Sequence, residues 1–173
     1  MNLSHSARRT RLPLWLPLLL MLLHPSLYAA GKVGTELQRA PAARLSLLSG
    51  KTLDLSKFRA NKPVYLKFWA TWCQPCRKEM PHLEHTFEKY GAAMQMVAIN
   101  LGFNDTPQKV KAFRKQYGLS LPIAIDSSGD LVQSFHVIGT PFHVLINKQG
   151  DIVYTSFKAD KKLDAMIKKL AGS

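Results

Sequence analysis

The chain contains two cysteines, Cys73 and Cys76, and only Gln74 and Pro75 separate them. Two thiols at this spacing can form a disulfide staple, supply half of a metal site, or act as a reversible dithiol–disulfide pair. Each use needs different surroundings, so the neighbouring residues decide between the three.

A metal site needs further ligands, and two histidines, His82 and His85, follow the cysteines. If this stretch is one continuous helix, Cys73 and His82 lie about 13 Å apart along the axis. Every zinc ligand must lie within roughly 2.0–2.3 Å of the ion. The spacing therefore argues against a metal and predicts that both histidines are exposed helix residues.

A static staple is the second alternative, but a disulfide that closes so small a ring removes little chain entropy.

The redox alternative explains more of the residues around the two cysteines. A buried-strand pattern at residues 63–70 precedes Cys73 and a helical pattern follows it, which places Cys73 at a helix N-terminus. Free N–H groups and the helix dipole stabilise the attacking thiolate there. Cys76 can then resolve a mixed disulfide, Pro75 restricts the turn, and Trp72 offers an apolar surface.

The elements around this pair alternate strands with helices, which predicts an α/β fold with a mixed sheet. The predicted strands are a short hairpin around Ser49–Gly50, then 63–70, 94–101 and 121–126, and a last hairpin that turns at 149–151. The predicted helices run from the cysteines to Gly91 with a kink at Pro81, from Pro107 to Gly118 behind a Thr106 cap, and over 130–137 and 160–170.

Two stretches of the chain resemble the thioredoxin superfamily, and specifically its exported TlpA/ResA-like branch. The first, residues 67–81, reads KFWATWCQPCRKEMP and is similar to the active-site strand, turn and helix. The second, residues 137–153, reads VIGTPFHVLINKQGDIV and is similar to the segment with the cis-proline. The resemblance covers about residues 45 to 171 and implies a thioredoxin fold, with helices flanking a mixed central sheet and an N-terminal β-hairpin.

The resemblance implies a role for each matching residue. Cys73 is the nucleophile and Cys76 the resolving thiol of a redox-active disulfide. Pro141 is the cis-proline beside that disulfide, and Thr140 presents its backbone to a substrate strand. Glu79 matches an acidic residue of related reductases that can exchange a proton with the resolving thiol; a solvated helix acid is the alternative.

Two residues depart from the family pattern. Lys67 stands where thioredoxins have a buried aspartate that accepts a proton, and a buried lysine is costly unless it is neutral or paired. Glu79 is a possible partner, so proton handling should differ from that of thioredoxin. His143 stands where the family usually has threonine, which leaves the fit of the substrate open.

The first 30 residues read as a signal peptide or an N-terminal membrane anchor. Three arginines precede an apolar run of about a dozen residues, which is short for a membrane span but suits a secretory signal. Residues 31–44 read as a linker and residues 45–173 as the thioredoxin-like domain. Without the first 30 residues, 21 Lys and Arg stand against 11 Asp and Glu, and their scatter argues against a nucleic-acid partner.

These observations predict an exported, periplasmic thiol–disulfide oxidoreductase that needs no cofactor or metal. The family resemblance implies reduction of disulfides in exported proteins, with electrons from a DsbD-like membrane donor and cytochrome c maturation as one role. A DsbA-like oxidant is an alternative, although the chain lacks room for the helical domain that such oxidants carry. A non-enzymatic binding module on the same fold is another.

Overall fold

A computed structural model describes residues 37–172 of the chain. The strands are β1 (Arg44–Ser46), β2 (Thr52–Asp54), β3 (Val64–Trp69), β4 (Gln95–Asn100), β5 (Ile123–Ile125), β6 (Phe142–Ile146) and β7 (Ile152–Ser156). The helices are α1 (Gln74–Tyr90), α2 (Pro107–Gln116), α3 (Asp130–Ser134) and α4 (Lys161–Ala171).

Five strands form the central sheet in the order β5-β4-β3-β6-β7, and β1 and β2 form a separate hairpin. Strands β3, β4 and β5 are parallel to one another. Strand β6 is antiparallel to β3, and β7 is antiparallel to β6. Parallel neighbours need a crossover, and α1 and α2 supply the two crossovers. The predicted mixed sheet, flanking helices and N-terminal hairpin are therefore confirmed.

Both faces of the sheet are covered, so β3 is buried along its whole length. On one face the core contains Trp69, Cys76 and Met80 together with the inner sides of α2 and α4. On the other face Leu66 and Phe68 pack with residues of α3 and of the hairpin. Because side chains alternate along a strand, Tyr65, Lys67 and Trp69 point to the face that α1 covers.

The helix starts follow the predicted capping pattern. Cys73 is the N-cap of α1, and the Thr106 hydroxyl accepts a hydrogen bond from Lys109 N at 3.2 Å at the start of α2. Helix α1 continues through Pro81 and ends at its C-cap, Gly91, as predicted.

Two predicted boundaries are wrong. Helix α3 ends at Ser134 because His136 adopts a left-handed backbone conformation with φ of 51°. The domain also begins before residue 45, because Arg39 forms a β-bridge with Asp151 and Ala40 is buried in the core. The described part of the predicted linker thus packs on the sheet.

The predicted signal peptide or anchor, residues 1–30, lies outside the described residues. None of the helices between residues 37 and 172 combines the length and the apolar character that a membrane crossing requires.

Candidate active site

The two cysteines form a disulfide at the N-terminus of α1, with a Cα–Cα distance of 5.2 Å. Cys73 is 5% exposed and Cys76 is fully buried. The Cys73 sulfur accepts a hydrogen bond from the backbone N–H of Cys76 at 3.2 Å. Pro75 lies in the first turn of α1. Backbone N–H groups there have no acceptor within the helix, so the N–H that proline lacks is not needed. The helix N-terminus stabilises negative charge on Cys73, the less buried of the two cysteines.

The loop before Cys73 is fixed by Asp105, which the sequence did not single out. Thr71 donates both its backbone N–H, at 2.8 Å, and its hydroxyl to this carboxylate. The Asn100 amide donates to Asp105 Oδ2 at 2.7 Å and accepts from Gly102 N at 2.9 Å. Gly102 has φ of +71°, and a Cβ there would lie 2.7 Å from the carbonyl oxygen of Asp126, so only glycine fits this turn.

Trp72 is half-exposed directly before Cys73. Its indole N–H donates to the carbonyl oxygen of Phe103 at 2.8 Å, and the two rings meet edge to face at 6.3 Å. Phe103 is itself 65% exposed. The disulfide therefore has an apolar surface beside it, as the tryptophan suggested.

The Thr140–Pro141 peptide bond is cis, as the resemblance implied. Pro141 is buried and directly precedes β6. In the antiparallel register Phe142 lies opposite Phe68 on β3. Pro141 therefore lies at the end of β3 from which the chain continues to Cys73.

Lys67 is 1% exposed, and its ammonium group donates to Glu79 Oε2 at 2.7 Å. The other carboxylate oxygen of Glu79 accepts from Ala159 N at 2.8 Å. His143 lies directly opposite Lys67 in the sheet, and its Nε2 is 3.2 Å from Glu79 Oε2. The predicted pairing of Lys67 with Glu79 is confirmed, and the alternative of a solvated Glu79 is wrong, since its side chain is only 16% exposed.

The burial of this cluster shifts the pKa values of its members. Burial alone would raise the pKa of Glu79, but the His143 ring, the hydrogen bond and charge of Lys67 and the Ala159 N–H lower it from 4.5 to about 2. Burial lowers the pKa of Lys67, although Glu79 opposes that change. Burial also lowers the pKa of His143 below 6.5. At neutral pH the Glu79 carboxyl is therefore ionised and the His143 imidazole is neutral, and the contact with ionised Glu79 favours the charged form of Lys67.

The tautomer of His143 follows from Tyr65, whose hydroxyl lies 2.7 Å from His143 Nδ1. Burial raises the pKa of Tyr65 well above 10, so the hydroxyl keeps its proton and can donate it. We therefore assign the imidazole proton to Nε2, the nitrogen that faces Glu79. The Nε2–Oε2 contact is poorly directed for a hydrogen bond, but the imidazole N–H still faces the carboxylate, beside the donors Lys67 and Ala159.

His82 differs from its prediction as an exposed residue. Its Nε2 lies 2.9 Å from Asp164 Oδ1 on α4, and its side chain is 40% exposed. His85 is exposed, as predicted. Among residues 37–172 no three His, Cys, Asp or Glu side chains are grouped closely enough to hold a metal ion.

Comparisons with known proteins agree with this geometry. The family model named Redoxin matches residues 33–170. The chain belongs to the Redoxin family. It is 35% identical over 142 residues to thiol-disulfide oxidoreductase ResA of Bacillus thuringiensis subsp. konkukian (strain 97-27). The aligned region covers 80% of this chain and 79% of that relative.

Two further relatives support the fold. The thioredoxin-like protein YneN of Bacillus subtilis (strain 168) is 35% identical over 145 residues, or 79% of this chain and 84% of that protein. The crystal structure of StoA from Bacillus subtilis superposes with a TM-score of 0.65 at 25% identity, over 75% of this chain and 97% of that chain. The fold is the thioredoxin fold, and the chain is a thiol–disulfide oxidoreductase of the ResA type.

Proposed function

We propose that the chain reduces disulfides in exported proteins, with Cys73 as nucleophile and Cys76 as resolving thiol. The observation that carries the proposal is the disulfide itself. It lies at a helix N-terminus, Cys73 is the less buried of the two cysteines, and the apolar side chains of Trp72 and Phe103 lie beside it. These features suit attack on a disulfide in a partly apolar protein segment.

In the reduced protein the Cys73 thiolate attacks one sulfur of the substrate disulfide. A Cys73–substrate disulfide forms, and the second substrate sulfur leaves as a thiolate that takes up a proton. Cys76 then loses its proton and attacks the Cys73 sulfur, which forms the Cys73–Cys76 disulfide and releases the other substrate sulfur. Two electrons pass from the dithiol to the substrate, and a DsbD-like membrane dithiol donor returns them.

In this proposal Thr140 and Pro141 hold the backbone of the substrate strand beside the disulfide. The position of Pro141 supports it, because Pro141 lies beside the end of β3 from which the chain continues to Cys73. Apocytochrome c, whose cysteines must be reduced before haem attachment, is one substrate of the proposed class.

The reduction potential of the full-length chain tests the direction of electron flow. We expect a value near that of thioredoxin, about −270 mV, when the chain is equilibrated with a dithiothreitol or glutathione buffer. A value near that of DsbA, about −120 mV, would assign the chain as an oxidant instead. The Cys73→Ser variant, which cannot form the disulfide, is the matched control.

The location of the protein is tested separately. Residues 1–30 are proposed to carry the domain to the periplasm, either as a cleaved signal peptide or as a membrane anchor. Fractionation of cells that produce the full chain is expected to recover the domain on the periplasmic side. Recovery from the cytosol would contradict the proposed substrates.

A further inference from the structure

The buried lysine of β3 has an unusual position. Lys67 lies between Tyr65 and Trp69 on the face that α1 covers, and Trp69 shares its core with Cys76. Its ammonium group meets one carboxylate, Glu79, and at 1% exposure it has no access to bulk water. A buried charge of this kind persists only when it is paired, since an unpaired one costs several kcal/mol.

The Glu79 carboxylate is held on both sides. Oε1 accepts from Ala159 N at 2.8 Å, and Oε2 accepts from the Lys67 ammonium at 2.7 Å. His143 Nε2 also faces Oε2, at 3.2 Å. A carboxylate with both oxygens engaged by donors favours the ionised form and is a poor proton acceptor.

Glu79 follows Cys76 by one turn of α1, on the same side of the helix. We propose that Lys67 is a positioning residue that keeps Glu79 ionised and locked, so that Glu79 takes no part in acid–base exchange with the Cys76 thiol. The proposal rests on the assignment of Cys76 as the resolving thiol. The proton that Cys76 loses on attack then goes to water or to the departing substrate sulfur.

The other groups near the cluster do not replace Lys67 in this role. The His143 imidazole is neutral and the Tyr65 hydroxyl keeps its proton. Asp160 accepts from Lys162 N and Leu163 N at the start of α4. The titratable groups that face the cluster, or act on it through charge, are Tyr65 and Lys67 on β3, Glu79 on α1, His143 on β6, Asp160 before α4 and Asp164 on α4.

The Glu79 carboxyl can be titrated directly by carbon NMR of full-length protein labelled at the glutamate side chains, with Glu79→Gln to assign the signal. In the wild type we expect the signal of an ionised carboxylate throughout about pH 4 to 8, in both the oxidised and the reduced protein. In Lys67→Met, a change of similar length without charge, we expect the Glu79 pKa to be higher than in the wild type, because the hydrogen bond and charge of Lys67 no longer oppose burial. Lys78→Met removes an exposed charge from the same helix and is the matched control.

The pH profile of the disulfide equilibrium against glutathione supplies the functional readout. We expect the wild-type profile to show no inflection from Glu79. We expect Lys67→Met to add an inflection that is removed in the double variant Lys67→Met/Glu79→Gln. A loss of packing alone would lower stability without creating an inflection that depends on Glu79.

Either of two results would overturn the proposal: a wild-type Glu79 that titrates between about pH 4 and 8, or a Glu79 pKa that is the same in Lys67→Met as in the wild type. If Lys67→Met does not fold, the wild-type titration still decides. That titration needs no turnover, so a chain that fails to exchange disulfides refutes the proposed function without deciding the state of Glu79.

Discussion

Two carboxylates flank the disulfide, and their surroundings differ in charge. Asp105 receives its hydrogen bonds from neutral donors, the backbone and hydroxyl of Thr71 and the amide of Asn100. Glu79 receives one from the buried ammonium of Lys67. The first carboxylate ties a loop to the end of β4, and the second balances a charge inside the core.

The difference teaches which property each carboxylate controls. Asp105 fixes the geometry of Thr71, two residues before Cys73, by accepting hydrogen bonds from neutral donors. The Lys67–Glu79 pair places two opposite charges next to the helix that carries Cys76, so loss of either partner leaves a charge uncompensated. Substitutions at Glu79 should therefore lower the free energy of unfolding more than substitutions at Asp105.

The largest expected effect is that of Glu79→Gln. It leaves the Lys67 ammonium buried without an anionic partner, and the free energy of unfolding should fall by about 3–5 kcal/mol. Chemical denaturation at neutral pH measures the change. The matched control is Glu88→Gln, because Glu88 is 66% exposed and lies 3.8 Å from His85, and it should change stability by less than about 1 kcal/mol.

A loss in Glu79→Gln no larger than that of the control would contradict the buried ion pair. The double variant Lys67→Met/Glu79→Gln sharpens the test. Removing both charges should recover part of the lost stability, because the uncompensated charge is gone.

Asp105→Asn is expected to have an intermediate effect. The amide can still accept one hydrogen bond, but the charge-assisted bonds from Thr71 and Asn100 are weakened, which should cost about 2–3 kcal/mol. Denaturation of this variant beside Asp130→Asn, a change of an exposed carboxylate, provides the comparison. Equal stability of the two variants would show that Asp105 does not hold the loop.

The neutral, buried His143 predicts a loss of stability in mild acid. Its folded-state pKa is below 6.5, so the unfolded chain binds a proton that the folded protein resists as the pH falls through 6.5. This one group contributes a slope of at most about 1.4 kcal/mol per pH unit. Unfolding free energies measured from about pH 7.5 down to 5 should fall less in His143→Gln than in the wild type.

Glu79 adds a second pH range, below that of His143, in which the folded protein loses stability. Its folded-state pKa of about 2 lies below the ordinary 4.5, so its contribution to stability is present above pH 4.5 and is lost as the pH falls toward 2.

His85→Gln, which changes an exposed histidine, is the control for His143→Gln and should keep the wild-type profile. Identical profiles for wild type and His143→Gln would contradict a buried neutral imidazole.

The smallest expected effect is that of Trp72→Phe. The change removes the N–H that donates to the Phe103 carbonyl at an exposed position and keeps an aromatic ring. We expect a loss of about 0.5–1 kcal/mol in thermal unfolding. A loss as large as that of Asp105→Asn would show that the aromatic pair, and not the carboxylate, holds this loop.

The local features of the site could be predicted from the sequence. A strand pattern that ends shortly before Cys73 and a helical pattern after it specify the helix N-terminus, and the family pattern around Pro141 predicted the cis bond. Lys67 stands where thioredoxins have a buried aspartate, and a buried lysine needs a partner, for which Glu79 was the candidate.

The long-range contacts could not be predicted in the same way. Asp105 is 34 residues from Thr71, and it looked like an ordinary loop residue beside the Thr106 cap. Tyr65 and His143 are 78 residues apart, and their contact depends on the register of β3 against β6. In that register Lys67 lies opposite His143, which brings His143 next to the Lys67–Glu79 pair.

The most direct test of the proposed dithiol chemistry is to trap the mixed disulfide. Full-length, reduced Cys76→Ser and Cys73→Ser variants are each mixed with a protein that carries a disulfide, and the covalent products are identified by non-reducing electrophoresis and mass spectrometry. Cys76→Ser is predicted to accumulate a mixed disulfide through Cys73, whereas Cys73→Ser forms none. A mixed disulfide that accumulates through Cys76 in the Cys73→Ser variant would contradict the assignment of the nucleophile.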